Sequence, residues 1–415
     1  MKLSDELSWR GFVNQTTYKD LAILDNEPIT FYWGVDPSAD SMTVGNFAIA
    51  MMVRHFITAG HKAVLLVGGA TGLIGDPDGK SQERDLQSLE IIAHNKSAIA
   101  QQYATVFEGL PFEVVDNYDW FKGMNYLDFL RDIGKHVPMR TMLSRDFVSS
   151  RLGEAGTGIS YAEFSYSLIQ GYDFLHLNRE LGVSLQVCGA DQWGNCIAGV
   201  DLIRRVTGNE AHIWSAPLVI NKTSGVKFGK SEGGAVWLDP TKTSPTQFYQ
   251  FWINIDDDGV ADYFKIYTLL SQSEIEAIIV EQQLNPSARV AQKRLAAEVT
   301  KLVHGQQQAL IAATVSDFLI GVQAIENADG DSLAALKREI AYCQVALTDN
   351  LVDCLVKTSL AASTSEARRL LAGNAISING VKVSHDRFEA DYFRNGKLLL
   401  RRGKAFKDSA LIELV

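Results

Sequence analysis

The chain has few cysteines for its length, four among 415 residues. Cys188, Cys196, Cys343 and Cys354 are scattered and lack the paired spacing of a structural zinc site. A disulfide-built scaffold is thereby excluded, and reduced thiols in a cytoplasmic protein are expected. No run approaches the roughly 20 apolar residues of a membrane span, so no membrane partner is expected. Residues Met1 to Asn14 include Asp5 and Glu6 and no apolar run, which fits neither a signal peptide nor a transit peptide. There is no internal repeat. Positive charge is short as well: 39 Lys and Arg stand against 49 Asp and Glu. The deficit is uneven. From Leu351 onward eleven basic residues face seven acidic ones, a surplus of four, while the rest carries 28 against 42. An acidic body with a basic tail fits a protein that holds nucleic acid locally.

Two common nucleotide-binding signatures are also missing. Gly79-Lys80-Ser81 and Gly229-Lys230-Ser231 look like the end of a P-loop, but Ile74 and Ser224 occupy the position of its first glycine. Gly68-Gly69-Ala70-Thr71-Gly72 follows an apolar run, yet Leu73 stands where a dinucleotide fingerprint needs its third glycine.

Ordinary proportions of apolar (46%) and charged (21%) residues mark a globular protein, and the length implies two or three domains. The first half alternates short apolar runs with helical segments, the pattern of a parallel α/β sheet. Phe31–Val35 reads as a first strand and Lys62–Val67 as a strand buried on both faces. Glu113–Val115 and Leu185–Val187 read as further strands. Helices are expected over 45–59, 88–107 and 126–133, and again over 246–253, 260–270, 273–281 and 288–304. Ser363 and Glu366 form a capping-box pattern before a short helix. Asn379-Gly380 between two apolar triplets predicts a hairpin. The expected layout is a Rossmann-type α/β domain over 1–235, a helical domain over 236–325, a linker over 326–350, and a small α+β domain over 351–415.

Four groups of residues carry chemistry. Thr43-Val44-Gly45-Asn46 sits where a helix starts after the first strand, so backbone N–H groups and the positive helix end favour a phosphate. Gly45 lets a ligand approach the backbone closely. Lys227-Phe228-Gly229-Lys230-Ser231 lies in a loop of small residues, where two ammonium groups suit charge developing on a leaving group. Tyr166, Gln170 and Asp173 recur at intervals of four and three, so one helical face carries all three. Gly189-Ala190-Asp191-Gln192-Trp193-Gly194-Asn195 follows the fourth predicted strand.

Together these motifs make the chain similar, from Trp9 to the C-terminus, to the bacterial-type tyrosyl-tRNA synthetases, a family of class I aminoacyl-tRNA synthetases. The resemblance implies a tyrosine–tRNA ligase whose substrates are tyrosine, ATP with Mg²⁺ and tRNA(Tyr), with no metal site of its own. It implies that Thr43, Asn46, Lys227 and Lys230, with Lys80 and Arg84 on a second basic loop, act on the ATP phosphates. Gly34, Asp36, Ser38, Gly45, Gly189 and Asp191 match ATP-side positions. Tyr32 and Asp173 match the pair that reads the substrate phenol. Asp76, Tyr166 and Gln170 match the residues around its ammonium, and Gln192 one near its carboxylate. Arg368, Arg369 and Lys382 fall in the part that resembles a small ribosomal-protein-type RNA-binding domain. A homodimer through residues around Tyr126 to Met142 is implied too. Two departures stand out. Thr43 and Asn46 replace the usual histidines, as in tryptophanyl-tRNA synthetases, so activity should not follow a histidine titration. Trp33 replaces the usual cysteine beside the ribose, so a ribose contact is not expected there. A tryptophan-specific synthetase and a non-catalytic, synthetase-derived RNA-binding protein are the alternatives.

Overall fold

A computed structural model describes residues 1–77, 87–143, 146–152, 158–231, 234–403 and 408–415. The chain divides into two compact units. One comprises Met1–Lys242 and Asp256–Ala291, the other Thr243–Ile255 and Gln292–Val415.

The first unit is built on a sheet of six described strands: β1 (Gln15–Thr16), β2 (Thr30–Val35), β3 (Lys62–Val67), β4 (Phe112–Asp116), β5 (Leu185–Gly189) and β6 (His212–Ala216). Their order is β1-β6-β5-β2-β3-β4, parallel throughout except for the two-residue β1 at one edge. Burial of Ala63 through Val67 explains why β3 is a continuous apolar run, since both faces of a parallel sheet are covered by helices. β1, missed in the sequence, is a polar Gln-Thr pair without periodicity.

The strand order matters for function. From β2 the chain steps outward through β3 to β4, then returns to lay β5 on the opposite side of β2. Connections leave β2 and β5 in opposite directions, opening a crevice at their carboxyl ends. Three capped helices border the sheet in sequence: Val44–Thr58, Leu89–Val106 and Tyr161–Leu181. Ser88 Oγ accepts from Ile91 N–H and Ser160 Oγ from Glu163 N–H, so each helix start satisfies its own donors. The N-terminal helix Leu3–Arg10 is tied in by Arg10, whose guanidinium donates to the carbonyls of Lys265, Thr268 and Leu270. These carbonyls end the helix Val260–Tyr267, where a cation is electrostatically favoured.

In the first unit a short hairpin pairs β7 (Lys230–Ser231) with β8 (Gly234–Ala235). The second unit holds a five-stranded sheet of β9 (Ala341–Val345), β10 (Ile376–Ile378), β11 (Val381–Val383), β12 (Lys397–Arg401) and β13 (Ser409–Leu414), ordered β11-β10-β12-β13-β9. Asn379 and Gly380 both take positive φ, as the predicted hairpin turn requires. The compact units cut across the expected boundaries. Helices Val260–Tyr267 and Gln272–Leu284 group with the first sheet, whereas Pro245–Ile253 and Gln306–Ile320 group with the second. The span 326–350 is no linker. It holds the helix Gly330–Glu339 and β9, which pairs in parallel with β13 from Ala341↔Ala410 to Val345↔Leu414. A parallel partner that arrives only some sixty residues later leaves no local sequence signal.

Leu399 and Leu411 share a buried cluster with Val315, Phe318, Leu336 and Ile340. A protein ending at Asn350 therefore strips two leucines from the core around helix Gln306–Ile320 and leaves β9 without β13. Local opening of that helix should become easier by on the order of 4 kcal/mol, read as faster amide hydrogen exchange than in the full chain. Unchanged exchange in that helix would show that the helical part is independent of the C-terminal strands.

Candidate active site

The crevice between β2 and β5 encloses about 220 Å³ and is lined from three directions. β2 supplies Tyr32 and Gly34, and Asp36 directly follows it; the segment after β5 supplies Asp191 and Gln192; one face of helix Tyr161–Leu181 supplies Tyr166, Gln170 and Asp173. Ser38, Asn46, Thr71 and Asp76 complete the polar wall. The structure thus brings together every residue expected around a tyrosine substrate, although 160 residues separate Tyr32 from Gln192 in sequence.

Two groups in this wall are decisive. The hydroxyl of Tyr32 and Oε1 of Gln170 are buried with no hydrogen-bond partner among the described residues. A polar atom left so costs about 1–3 kcal/mol. Beside Tyr32, the carboxyl of Asp173 is 2% exposed and accepts from Asn117 Nδ2 at 3.0 Å and Trp120 Nε1 at 2.9 Å. Burial pushes Asp173 up to about 8, against the pull of those two donors. Burial also holds the Tyr32 phenol well above its ordinary range, with Cys196 and Asp173 adding to it.

From Asp173 a chain of hydrogen bonds runs to the other polar groups. Asn117 Nδ2 donates to Thr71 Oγ1 at 3.0 Å, and Thr71 donates to Asp36 Oδ1 at 2.6 Å. The Tyr166 hydroxyl donates to Asp36 Oδ2 at 2.7 Å, so its lone pairs remain for a donor. Gln192 Nε2 donates to Asp76 Oδ2 at 2.6 Å. Tyr166 Oη, Gln170 Oε1 and the Asp76 carboxylate are three acceptors on the cavity wall, the complement of a primary ammonium. Gly68 serves this network: a Cβ there would meet Asp36 Oδ1 at 2.2 Å. In the stretch that mimicked a dinucleotide loop, Gly68 makes room for the Asp36–Thr71 contact and Gly69 for Asp116.

The phosphate-side motifs meet as well. Thr43 caps the helix Val44–Thr58; its N–H and hydroxyl both donate to Asn46 Oδ1, at 2.9 and 2.8 Å. The cap uses the Thr43 hydroxyl proton and the Asn46 amide oxygen, which leaves the Asn46 NH₂ as the side-chain donor able to meet an anion. Gly229, at φ 90°, packs where a Cβ would lie 3.5 Å from Gly45 N and 3.4 Å from Val44 Cβ. Backbone bonds from Val44 N to Val236 O and from Leu238 N to Met42 O hold the two segments together. Phe228 anchors the loop by stacking on Tyr263, with centroids 4.3 Å apart. Lys227 Nζ lies 3.0 Å from Asp191 Oδ2. Gly189 ends β5 at the crevice.

Lys80 and Arg84 lie outside the described residues, as does the Lys230 side chain. Arg368, Arg369 and Lys382 are exposed in the second unit, the arginines on the helix Thr364–Ala372 and the lysine on β11. Trp33 packs its ring against Tyr103 and Phe107, with centroids 5.5 and 6.4 Å apart, and also lines the cavity. Asn117, Trp120 and Thr71 were not read from the sequence. A signal existed for the first: a polar residue directly after a strand of a parallel sheet sits at the crevice end.

This fold and site belong to one class. Residues 24–319 match the family model described as tRNA synthetases class I (W and Y), and the chain belongs to that family. Residues 333–407 match the tyrosine–tRNA ligase SYY-like C-terminal domain. The chain is 41% identical over 425 residues to the tyrosine–tRNA ligase 2 of Bacillus cereus, covering 100% of both chains. It is 42% identical over 422 residues to the tyrosine–tRNA ligase of Bacteroides fragilis, covering 97% of this chain and 98% of that one. A C-terminally truncated mitochondrial tyrosyl-tRNA synthetase from Aspergillus nidulans superposes with a TM-score of 0.68 at 29% identity, over 75% of this chain and 92% of that one.

Two outcomes follow from the buried groups. Tyr32→Phe removes a partnerless hydroxyl, so the ligand-free protein should gain about 1 kcal/mol of stability while its affinity for tyrosine falls roughly tenfold. Thermal unfolding and calorimetric titration check both; a lowered melting temperature would mean that the hydroxyl is satisfied in the free protein. Asp173 keeps its proton up to about pH 8 when folded but titrates near 3.8 when unfolded. Its contribution to stability is full below about pH 4 and is lost as pH rises through about 8. Wild type should therefore lose more melting temperature than Asp173→Asn between about pH 5 and pH 8. Parallel curves would place the Asp173 carboxyl in an ordinary range.

Proposed function

We infer that this protein is a tyrosine–tRNA ligase. The observation that carries the reading is the buried Tyr32 hydroxyl without a partner beside the buried carboxyl of Asp173. A substrate phenol is both donor and acceptor, so it completes Tyr32 and meets Asp173 in either protonation state. Indole offers one donor and no acceptor, which disfavours tryptophan at this pair.

Tyr166, Gln170 and Asp76 hold the substrate ammonium, and Gln192 lies near its carboxylate. A tyrosine carboxylate oxygen attacks the α-phosphorus of MgATP. The bond to the bridging oxygen breaks, and pyrophosphate leaves with its charge. Asn46 and the helix start at Val44 stabilise the phosphate charge, helped by Lys227 and Lys230 and by Lys80 and Arg84. Gly34, Gly45 and Gly189 leave room for the nucleotide; Asp36, Ser38 and Asp191 meet its sugar and phosphate side. A ribose hydroxyl of the 3′-terminal adenosine of tRNA(Tyr) then attacks the tyrosyl carbonyl and AMP departs. Positioning and electrostatic stabilisation supply the rate, with no covalent enzyme intermediate. Arg368, Arg369 and Lys382 contact tRNA phosphates, a salt-sensitive contribution. A homodimer in the cytoplasm fits the exposed Tyr126, Leu127 and Met139 in the 126–142 segment.

Amino-acid-dependent ATP–pyrophosphate exchange tests the assignment. Tyrosine should support exchange, and phenylalanine and tryptophan should not. Asp173→Ala should collapse the tyrosine-to-phenylalanine ratio of kcat/KM by about a hundredfold or more, because tyrosine loses the carboxyl that meets its phenol while phenylalanine loses no bond. No exchange with any of the three would favour a non-catalytic RNA-binding protein, and exchange with tryptophan alone would transfer the assignment to that amino acid.

A further inference from the structure

The second unit contains a pair of thiols that the synthetase chemistry does not use. Cys343 lies on β9 and is partly exposed; Cys354 lies in the helix Leu351–Lys357 and is 2% exposed. Their sulfurs are 3.3 Å apart. Both pack on the core that buries Val345, Leu355 and Ile412. Only the turn at Ala346–Asp349 and the helix start separate them; Asp349 N–H donates to Ala346 O, and Asn350 Oδ1 accepts from Val352 N–H. Closing the gap to the roughly 2 Å of a disulfide needs a small side-chain movement and no change of fold.

We propose that Cys343 and Cys354 are an oxidant-sensitive site that forms a reversible disulfide when the protein meets a hydroperoxide. The two thiols are unequal. Cys343 is the partly exposed member of the pair, and the sulfur–sulfur contact and the Lys357 ammonium favour its thiolate, whereas that contact and burial raise Cys354. Cys343 is thus the attacking sulfur and Cys354 the resolving one. The Cys343 thiolate attacks the terminal oxygen of the hydroperoxide; an S–O bond forms, the O–O bond breaks, and the alkoxide takes a proton to leave as alcohol. The Cys354 sulfur then attacks the Cys343 sulfenic acid; the S–S bond forms, the S–O bond breaks, and hydroxide leaves as water with the Cys354 proton. Two thiols are oxidised by two electrons and one hydroperoxide is reduced. The product fastens the edge strand β9 to the helix, and reduction by a small dithiol reverses it. Cys188 and Cys196, buried at 5% and 1% exposure in the first unit, are an internal comparison within the same chain.

The test is to treat the full-length protein with excess hydrogen peroxide and follow intact mass and a non-reducing peptide map. The expected result is loss of two hydrogens, a cross-linked peptide containing Cys343 and Cys354, recovery with dithiothreitol, and Cys188 and Cys196 still alkylatable after denaturation. Cys354→Ser should stop at a Cys343 sulfenic acid that dimedone traps. Cys343→Ser should leave Cys354 reduced. The proposal fails if both thiols survive, if Cys343 is overoxidised in wild type without a cross-link, or if the only cross-link joins Cys188 and Cys196.

Discussion

A carboxyl group buried as deeply as Asp173 must be given partners, and the first unit is arranged around that requirement. The side chain projects from a helix whose neighbouring residues Phe174, Leu175 and Leu177 are all core. Left alone it would carry a desolvation cost of several kcal/mol. Asn117 and Trp120 offset part of that cost by donating to both oxygens. Asn117 in turn links through Thr71 to Asp36 and Tyr166, so one network sets the orientation of groups on β2, after β3, after β4 and on the helix. The Tyr32 hydroxyl and Gln170 Oε1 are left outside it. In the proposed function, a substrate that supplies a phenol and an ammonium would complete both, and a poorer substrate would leave buried polar atoms unmet.

Topology puts this network where a nucleotide can also reach it. The reversal of strand order between β2 and β5 opens the sheet at its carboxyl ends, and both strands contribute residues to the cavity wall. The helix Val44–Thr58 starts directly after β2, so its positive end is delivered to the same crevice. The Phe228 stack on Tyr263 and the backbone bonds to Met42 and Val44 fix the base of the lysine loop there. In the proposed reaction, activation of an acid by ATP needs no histidine: Thr43 and Asn46 shape the turn by capping it, and backbone dipoles and lysines would handle the charge.

What could be read from the sequence was what is local. The 3.6-residue period placed Tyr166, Gln170 and Asp173 on one face, the unbroken apolar run marked β3, and Asn-Gly marked the hairpin. What could not be read depends on contacts distant in sequence. Asn117 reaches Asp173 across 56 residues, and its identity alone does not show which acid it serves. The Tyr166 hydroxyl is claimed by Asp36, 130 residues away. Pairing of β9 with β13 turned a predicted linker into part of a sheet, because neither strand carries a pattern that names its partner. Thr43 and Asn46 fitted both a phosphate site and a helix cap in the sequence; the geometry shows the cap, which is itself the means of aiming the helix end.

The central claim is that tyrosine binds by satisfying groups the free protein leaves buried and unpaired. Calorimetric titration of the intact protein with L-tyrosine and with L-phenylalanine, without ATP, tests it most directly. The account predicts that phenylalanine binds weaker by on the order of a hundredfold or more, since it leaves the Tyr32 hydroxyl without a partner and makes no bond to the Asp173 carboxyl. Comparable dissociation constants for the two amino acids would contradict it.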